Sequence, residues 1–182
     1  MKALIYGNGV SGKGAKKLLD ENNIECQFVD DNSDEAVLND ASMLVLSPSI
    51  ALSKPLVLKA QTLGVEVIGE IELAYRFNKG NIIAITGTNG KTTTSMMMDS
   101  VLREAGKIRH LCGNIGNSFA GKIAKIKEND TVVLELSSFQ LETIENFKPH
   151  IAMLLNLGVD HIASRTQVSL YPDPQLTTTS IT

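Results

Sequence analysis

The sequence predicts an α/β fold built on parallel sheets, because short apolar runs alternate along the chain with longer amphipathic segments. Two glycine-rich loops each follow an apolar run and precede a helical pattern, which is typical of strand–loop–helix units in such sheets. The 182 residues are enough for one large domain or two small ones. We expect a Rossmann-like parallel-sheet domain first, followed by a truncated α/β domain of the P-loop ATPase type.

Four strands are predicted in the first part of the chain. Residues 2–6 form an apolar run that ends at a glycine-rich loop, and an amphipathic pattern then continues to about Glu21. Gly64 follows a later amphipathic stretch, at a position where glycine commonly ends a helix. The predicted strands are 2–6, 24–29, 43–46 and 65–68, and the further helices are about 53–63 and 69–78.

The pattern starts again after residues 78–81 (Asn-Lys-Gly-Asn), which we interpret as a hinge. We therefore predict two domains, residues 1–80 and 81–162, the second incomplete. Residues 163–182 are rich in serine and threonine and lack periodicity, so we expect a disordered tail. The predicted elements after the hinge are strands at 82–86, about 108–112, 131–136 and 150–156, and a helix that ends at Ala105.

Composition and charge limit the possible functions. Hydrophobic residues make up 43% of the chain, and a formal net charge of −3 argues against a broad surface for nucleic acid or anionic membrane. No apolar run is long enough to cross a bilayer, and no secretory signal is evident. Cys26 and Cys112 have no pairing or metal-ligand spacing, so we expect two buried free thiols. These features predict a cytoplasmic protein and leave its oligomeric state open.

The loop at residues 87–93 is the strongest chemical signal. Its glycines let backbone N–H groups converge on phosphate oxygens, and the following helix adds the positive end of its dipole. Lys91 would contact the β and γ phosphates, and the Thr92 hydroxyl would bind Mg²⁺, which predicts ATP and Mg²⁺ as cofactors. The spacing is shorter than in the standard loop, since Ile85 stands where that loop has its first glycine. A glycine turn with a solvated lysine is the alternative. The candidates are Gly87, Thr88, Asn89, Gly90, Lys91, Thr92 and Thr93.

Glu135 ends the apolar run 131–135, where a ligand for Mg²⁺ opposite the phosphate loop would lie. A glutamate at the end of a strand is as often simply solvated. The nearby Lys91-Thr92 pair favours the metal-ligand interpretation.

The first glycine-rich loop, Gly7-x-Gly9-x-x-Gly12, follows the first predicted strand, and Asp30 ends the second. These are the elements of a dinucleotide-binding fingerprint. The loop therefore predicts a bound diphosphate, and NAD in a redox or regulatory protein is one possibility. A tight strand–helix turn that requires small residues is the other.

Five segments together resemble the Mur ligases, and two of them, Ser-Pro-Ser-Ile-Ala and Glu-Leu-Ser-Ser-Phe-Gln, are similar to the members that add D-glutamate. The resemblance covers about residues 1–162. After Asp160-His161-Ile162 the family pattern continues with an acidic residue and an arginine, whereas this chain has Ala163 and Ser164, with Arg165 one place late. The segments are 47–52, 85–92, 113–116, 134–142 and 156–161.

The resemblance implies roles for individual residues. The first glycine loop would hold the diphosphate of a UDP-linked substrate, and two acids and two serines would lie near its uridine. Catalytic roles would fall to Lys91 and His161, and the metal ligands would be Thr92, Glu135 and His161. The implied substrate-binding residues are Val10, Ser11, Asp30, Asp31, Ser47, Ser49, Asn114, Ser137 and Gln140.

The family would make this chain a fragment of an ATP-dependent, peptide-bond-forming ligase of peptidoglycan synthesis. Its small-molecule substrates would be UDP-N-acetylmuramoyl-L-alanine and D-glutamate, and the activated intermediate an acyl phosphate. Because the resemblance stops near residue 162, we expect this chain to be inactive as a ligase by itself. The alternatives are an NAD-type dinucleotide-binding protein and a nucleotide-binding module without catalysis.

Overall fold

A computed structural model describes residues 2–158, in which two four-stranded sheets alternate with helices. Short 3-10 turns occupy Glu35–Leu38 and Ile123–Lys125. The strands are β1 (Lys2–Tyr6), β2 (Glu25–Val29), β3 (Met43–Leu46), β4 (Glu66–Gly69), β5 (Asn81–Thr86), β6 (Arg109–Gly113), β7 (Thr131–Glu135) and β8 (Ile151–Leu154). The helices are α1 (Val10–Glu21), α2 (Pro55–Thr62), α3 (Glu70–Phe77), α4 (Lys91–Glu104), α5 (Phe119–Lys122) and α6 (Ser138–Leu141).

The predicted α/β fold class with parallel sheets is confirmed, and each predicted strand and helix occurs close to its expected position. Helix α2 is shorter than expected because Pro55, which lacks an N–H group, occupies its first turn. Strand β8 ends at Leu154, before the expected residue 156, since the chain then turns toward the loop after β5. Helices α5 and α6 are not predicted from the sequence, because each is a single turn of four residues. The expected tail, residues 163–182, lies outside the described residues.

All strand pairs in both sheets are parallel. The order is β2-β1-β3-β4 in the first sheet and β6-β7-β5-β8 in the second. The connections between strands therefore run to opposite sides of β1 in the first sheet and of β5 in the second. Both glycine-rich loops leave the carboxyl ends of these two strands. In open α/β sheets this is the place where ligands bind.

Side chains alternate between the two faces of each sheet, and the inner faces share one core. In β1, Ala3 and Ile5 lie in the same apolar cluster as Ile82 and Ala84 of β5. Helices α1, α3 and α5 fill the space between the two sheets. The outer face of the first sheet packs on α2 through residues such as Leu4, and that of the second packs on α4. The two sheets are thus joined by a continuous apolar layer.

Helices α1 and α5 approach so closely that only glycine fits at their contact. A Cβ atom built on Gly14 would lie 2.0 Å from Ser118 Oγ and 3.0 Å from the backbone nitrogen of Gly121. Ser118 in turn caps α5, since its side chain accepts a hydrogen bond from the Gly121 N–H group. The contact therefore depends on a small residue in α1 and on the cap of α5.

Two buried carboxylates of α3 bind backbone N–H groups of the second half of the chain. Glu72 has no exposed surface, and its Oε2 accepts the N–H groups of Glu145, Asn146 and Phe147 at 2.9, 3.0 and 2.9 Å. Its Oε1 accepts a bond from Arg76, which also pairs with Glu66 and Glu145. Because these bonds join the two halves, they add a directional contact to the apolar layer.

Glu70 makes a similar connection at the start of α5. Its Oε1 accepts the Ala120 N–H group, while its Oε2 has no partner among the described residues. Burial raises the pKa of Glu70 to about 7, against the smaller opposing effect of its bonds to the Ala120 and Phe119 N–H groups. Burial, and to a smaller extent the negative charge on Glu70, raises the pKa of the Cys112 thiol. Cys112 is buried as expected, whereas Cys26 is only half-buried, because β2 is an edge strand.

The connection at residues 78–81, interpreted from sequence as a hinge, is fixed by hydrogen bonds. Asn78 Nδ2 donates to the Gly80 carbonyl at 2.7 Å, and the Gly80 N–H donates to Asn78 Oδ1 at 3.2 Å. Asn81 N–H donates to the Asp130 carbonyl at 2.8 Å. The turn between the two sheets is therefore short and hydrogen-bonded on both sides.

Replacing Glu72 should strongly destabilise the fold. Glu72→Ala leaves three N–H groups and Arg76 without their acceptor, and removing one partner of a buried ion pair costs about 3–5 kcal/mol. Urea unfolding measures the loss. Glu145→Ala is the matched control, since this side chain also contacts Arg76 but is 61% exposed, and it should cost about 1 kcal/mol or less. Equal losses in the two variants would contradict the assigned role of Glu72.

The buried acid Glu70 should make stability depend on pH in a defined direction. Because its pKa is raised from 4.5 to about 7, the folded state binds more protons than the unfolded state between these values, and the free energy of unfolding falls as pH rises through this range. The glutamine side chain of Glu70→Gln cannot titrate. The free energy of unfolding of Glu70→Gln should therefore rise relative to that of the wild type between pH 5 and pH 8, by about 3 kcal/mol at most. Denaturant unfolding at both pH values measures this. A difference that stays constant with pH would refute the assignment.

Candidate functional site

The first candidate site surrounds the glycine-rich loop after β1. Gly7 has φ of +100°, and its carbonyl accepts a bond from the Ser47 hydroxyl at 3.3 Å. A Cβ atom on Gly12 would lie 1.9 Å from the Gly7 carbonyl oxygen, so glycine permits α1 to pack directly on the loop. A Cβ atom on Gly9 would meet nothing within 4 Å. The middle glycine therefore faces open space, as expected where a ligand approaches the backbone.

Two acids follow β2 at the same edge of this sheet. Asp31 Oδ2 pairs with Lys54 Nζ at 2.7 Å, and its Oδ1 accepts a hydrogen bond from the Tyr6 hydroxyl. The bond from Lys54, and then that from Tyr6, lowers the pKa of Asp31. Burial, with the neighbouring Asp31, raises the pKa of Tyr6 to about 12. Asp31 thus stays ionised and Tyr6 protonated over the physiological range of pH.

Asp30 lies in an exposed turn. Its Oδ1 accepts the Asn32 N–H at 2.9 Å and the Ser33 hydroxyl at 3.2 Å. Val10, at the start of α1, is 65% exposed, and Ser49 is also exposed. The predicted substrate residues of the first sheet therefore gather at one edge: Val10, Ser11, Asp30, Asp31, Ser47 and Ser49.

Sequence reasoning missed Tyr6 and Lys54 in this site. Tyr6 is the last residue of β1 and is 3% exposed, and its polar hydroxyl at the end of a buried strand could have suggested a partner at the carboxyl edge. Lys54 precedes Pro55 in a turn and carries no motif. Its pairing with Asp31 depends entirely on tertiary structure.

The second candidate site is the loop between β5 and α4. Gly87 and Gly90 have positive φ, of +142° and +84°. Lys91 Nζ donates to the carbonyl oxygens of Gly87 and Thr88 at 2.7 and 2.9 Å, so the lysine lies across its own loop. The first intrahelical bond of α4 joins the Thr94 N–H to the Gly90 carbonyl at 2.9 Å. The N–H groups of residues 91–93 precede it and have no acceptor within the helix, as an anion-binding helix end requires.

Glu135 lies beside this loop at the end of β7, in register with Ile85 of β5. The side chain is buried, and its Oε1 accepts a bond from Asn114 Nδ2 at 3.0 Å. Its Oε2 is also buried and has no partner among residues 2–158. A buried carboxylate oxygen without a donor is costly, and a bound cation would satisfy it. The geometry of Glu135 therefore fits a magnesium ligand.

The other residues implied near Glu135 make bonds within the protein. Ser137 caps α6 and Gln140 completes a capping box, since its side-chain oxygen accepts the Ser137 N–H at 2.9 Å. Gln140 is buried. Asn114 binds Glu135 through both its amide side chain and its backbone N–H. These residues line the carboxyl edge of the second sheet and hold its loops in place.

The predicted metal ligands are only partly brought together. Thr92 is exposed in the first turn of α4, and Glu135 ends the strand next to β5. His161 lies outside the described residues. Within residues 2–158, no group of three or more His, Cys, Asp or Glu side chains is arranged to hold a metal ion.

Sequence reasoning also missed a role for Asn156, two residues after β8. Its side chain forms two hydrogen bonds with the backbone of Asn89, in the glycine loop. The residue belongs to a segment that the sequence singled out, but nothing in one sequence indicates that its amide reaches a loop 67 positions away.

No helix among the described residues combines the length and apolarity needed to span a bilayer.

Comparison with known proteins places the second half of the chain in a defined family. Residues 85–170 match the model of the Mur ligase middle domain. Relatives named UDP-N-acetylmuramoylalanine–D-glutamate ligase occur in Lachnospira eligens, with 37% identity over 92% of this chain and 42% of the relative, and in Fusobacterium nucleatum, with 45% identity over 88% and 40%. That of Caldicellulosiruptor bescii is 50% identical over 81% of this chain and 31% of its own. The chain thus spans about two fifths or less of the length of these curated relatives.

Solved structures show the same fold at low sequence identity. The UDP-N-acetylmuramate:L-alanyl-γ-D-glutamyl-meso-diaminopimelate ligase of Neisseria meningitidis superposes with a TM-score of 0.54 and 20% identity, over 88% of this chain and 62% of that structure. The UDP-N-acetylmuramate–alanine ligase of Thermotoga maritima gives a TM-score of 0.50 and 22% identity, over 90% and 43%. At these identities the likeness concerns the fold alone.

Proposed function

The chain belongs to the Mur ligase family, and from this premise we propose that it forms the part of a D-glutamate-adding ligase that binds the UDP-linked substrate and the phosphates of ATP. The observation that carries the proposal is the loop at residues 87–93, which directs free N–H groups and Lys91 toward one edge of a parallel sheet, beside the buried carboxylate of Glu135. The names of the relatives supply the substrate class. The proposal places the protein in the cytoplasm, where ATP is available.

The first sheet would bind UDP-N-acetylmuramoyl-L-alanine. Its diphosphate would lie against Gly9 and the start of α1, where the backbone is open and the helix dipole favours negative charge. The uridine would lie near the acids after β2 and near Ser47, with Tyr6 and Lys54 fixing the position of Asp31. This division assigns residues 1–80 to the UDP substrate and 81–162 to ATP.

The second sheet would bind ATP. Lys91 would exchange its bonds to the Gly87 and Thr88 carbonyls for bonds to phosphate oxygens, because a charged acceptor binds an ammonium group more strongly than a carbonyl does. Mg²⁺, held by Thr92, Glu135 and His161, would neutralise phosphate charge. Asn114 would keep Glu135 Oε1 occupied and leave Oε2 for the ion.

The proposed reaction has two steps. The alanine carboxylate of the substrate attacks the γ-phosphorus of ATP, which forms an acyl phosphate and releases ADP. The amine of D-glutamate then attacks the acyl carbon and displaces phosphate, forming the amide bond. Lys91 and the N–H groups of α4 serve the first step by positioning the phosphates and countering their charge. No described residue is assigned here to D-glutamate.

The loop assignment predicts a loss of ATP binding when Lys91 is removed. A charge-assisted contact to phosphate is worth roughly 1.5–3 kcal/mol, so Lys91→Ala should weaken Mg-ATP binding by about tenfold or more. Titration calorimetry with the 182-residue chain measures this. Lys107→Ala, at an exposed position after α4, is the matched control and should bind normally. Equal affinity in the folded Lys91 variant would refute the phosphate-loop assignment.

The substrate assignment predicts protection by uridine nucleotides but not by NAD. UDP at about 100 times its dissociation constant should add roughly 2.7 kcal/mol to stability by mass action, measured as a shift in melting temperature. Gly9→Val should abolish that shift in a protein that still folds, since its side chain would enter the open space that the diphosphate is proposed to occupy. A shift with NAD alone would favour the redox alternative, which the relatives do not support.

A further inference from the structure

The segment that follows β8 forms hydrogen bonds with the backbone of the glycine-rich loop at residues 87–93. The Asn89 N–H donates to Asn156 Oδ1 at 2.9 Å, and Asn156 Nδ2 donates to the Asn89 carbonyl at 2.9 Å. One amide side chain thus binds both polar groups of one residue in the loop. The Thr88 N–H donates to the Asn156 carbonyl at 3.2 Å, which adds a third contact.

Neighbouring residues extend this contact in both directions. The Leu155 N–H donates to the Thr86 carbonyl at 3.0 Å, and the Gly158 N–H donates to Thr88 Oγ1 at 2.8 Å. A Cβ atom on Gly87 would lie 3.1 Å from the backbone nitrogen of Asn156. The loop and the segment 155–158 therefore run side by side with little space between them.

These bonds determine which loop donors can face a phosphate. The N–H groups of Thr88 and Asn89 are occupied by Asn156, whereas the N–H groups of residues 91–93 and the Lys91 ammonium group remain as donors for an anion. A primary amide is suited to these two bonds, since its NH₂ donors and its carbonyl acceptor lie side by side. Aspartate would offer only acceptors, and alanine offers neither.

We propose that Asn156 is a positioning residue that holds the loop in the conformation that receives the phosphates of ATP. It acts through the backbone of Thr88 and Asn89 and does not itself contact the nucleotide. The inference rests on the proposed function, because it takes ATP as the ligand of this loop. The segment after strand β8 thereby contributes to nucleotide binding.

Binding measurements on three variants test the proposal. Asn156→Ala removes both side-chain bonds and should weaken Mg-ATP binding about tenfold, since each exposed neutral bond contributes modestly. Asn156→Asp should weaken it further, because a carboxylate oxygen would then face the Asn89 carbonyl and repel the phosphates. Leu157→Ala is the matched control, because the Leu157 side chain is 69% exposed and takes no part in these hydrogen bonds. This variant should bind Mg-ATP normally. Affinity for UDP should stay unchanged in all three.

The outcomes separate this inference from the proposed function. Wild-type protein that fails to bind Mg-ATP would overturn both. If the wild type binds Mg-ATP and Asn156→Ala binds it with the same affinity, the inference alone is overturned. Equal losses of ATP and UDP affinity in Asn156→Ala would also overturn it, because they would indicate general disruption of the fold.

Amide hydrogen exchange gives a second measurement that needs no nucleotide. If Asn156 holds the loop, the Asn89 amide should exchange faster in Asn156→Ala than in the wild type, while amides in the first sheet exchange as before. The same exchange rate for the Asn89 amide in both proteins would overturn the inference.

Discussion

The shared apolar layer between the two sheets is the constraint on which the rest of the structure depends. Inner-facing residues of β1 and β5 belong to one cluster, and α1, α3 and α5 fill the space between them. Such a layer cannot be separated without exposing side chains from both halves, so each half relies on the other for burial. Glu72 strengthens this union because three N–H groups of the second half converge on one carboxylate oxygen.

This union fixes the two carboxyl edges relative to each other. The first glycine loop leaves β1, which shares its inner face with the core, and the second leaves β5, which does the same. The turn at residues 78–81, which connects the two sheets, is hydrogen-bonded on both sides. In the proposed reaction the acyl group and the γ-phosphate must meet, and rigid placement of the two loops reduces the entropic cost of that encounter.

Several polar side chains in and around the two loops are already engaged within the protein. Lys91 binds loop carbonyls, Asp31 binds Lys54 and Tyr6, and the capping box of α6 engages Ser137. Glu135 Oε2 differs from them, because it is buried and has no partner among residues 2–158. The paired groups hold the loops in shape, whereas Glu135 Oε2, at the carboxyl edge beside the phosphate loop, is where a cation would fit.

The sequence by itself determined the α/β class, the order of strands and helices and both glycine loops, because each of these depends on local periodicity and on the geometry of glycine. It also placed Glu135 at a strand end and named the family through contiguous motifs. Only the tertiary structure decided that Tyr6 and Lys54 hold Asp31 and that Asn156 binds the backbone of Asn89. These contacts join residues 23 to 67 positions apart in the sequence. Local sequence patterns do not indicate contacts between residues so far apart in the sequence, because the burial that brings these residues together arises only when the whole chain has folded.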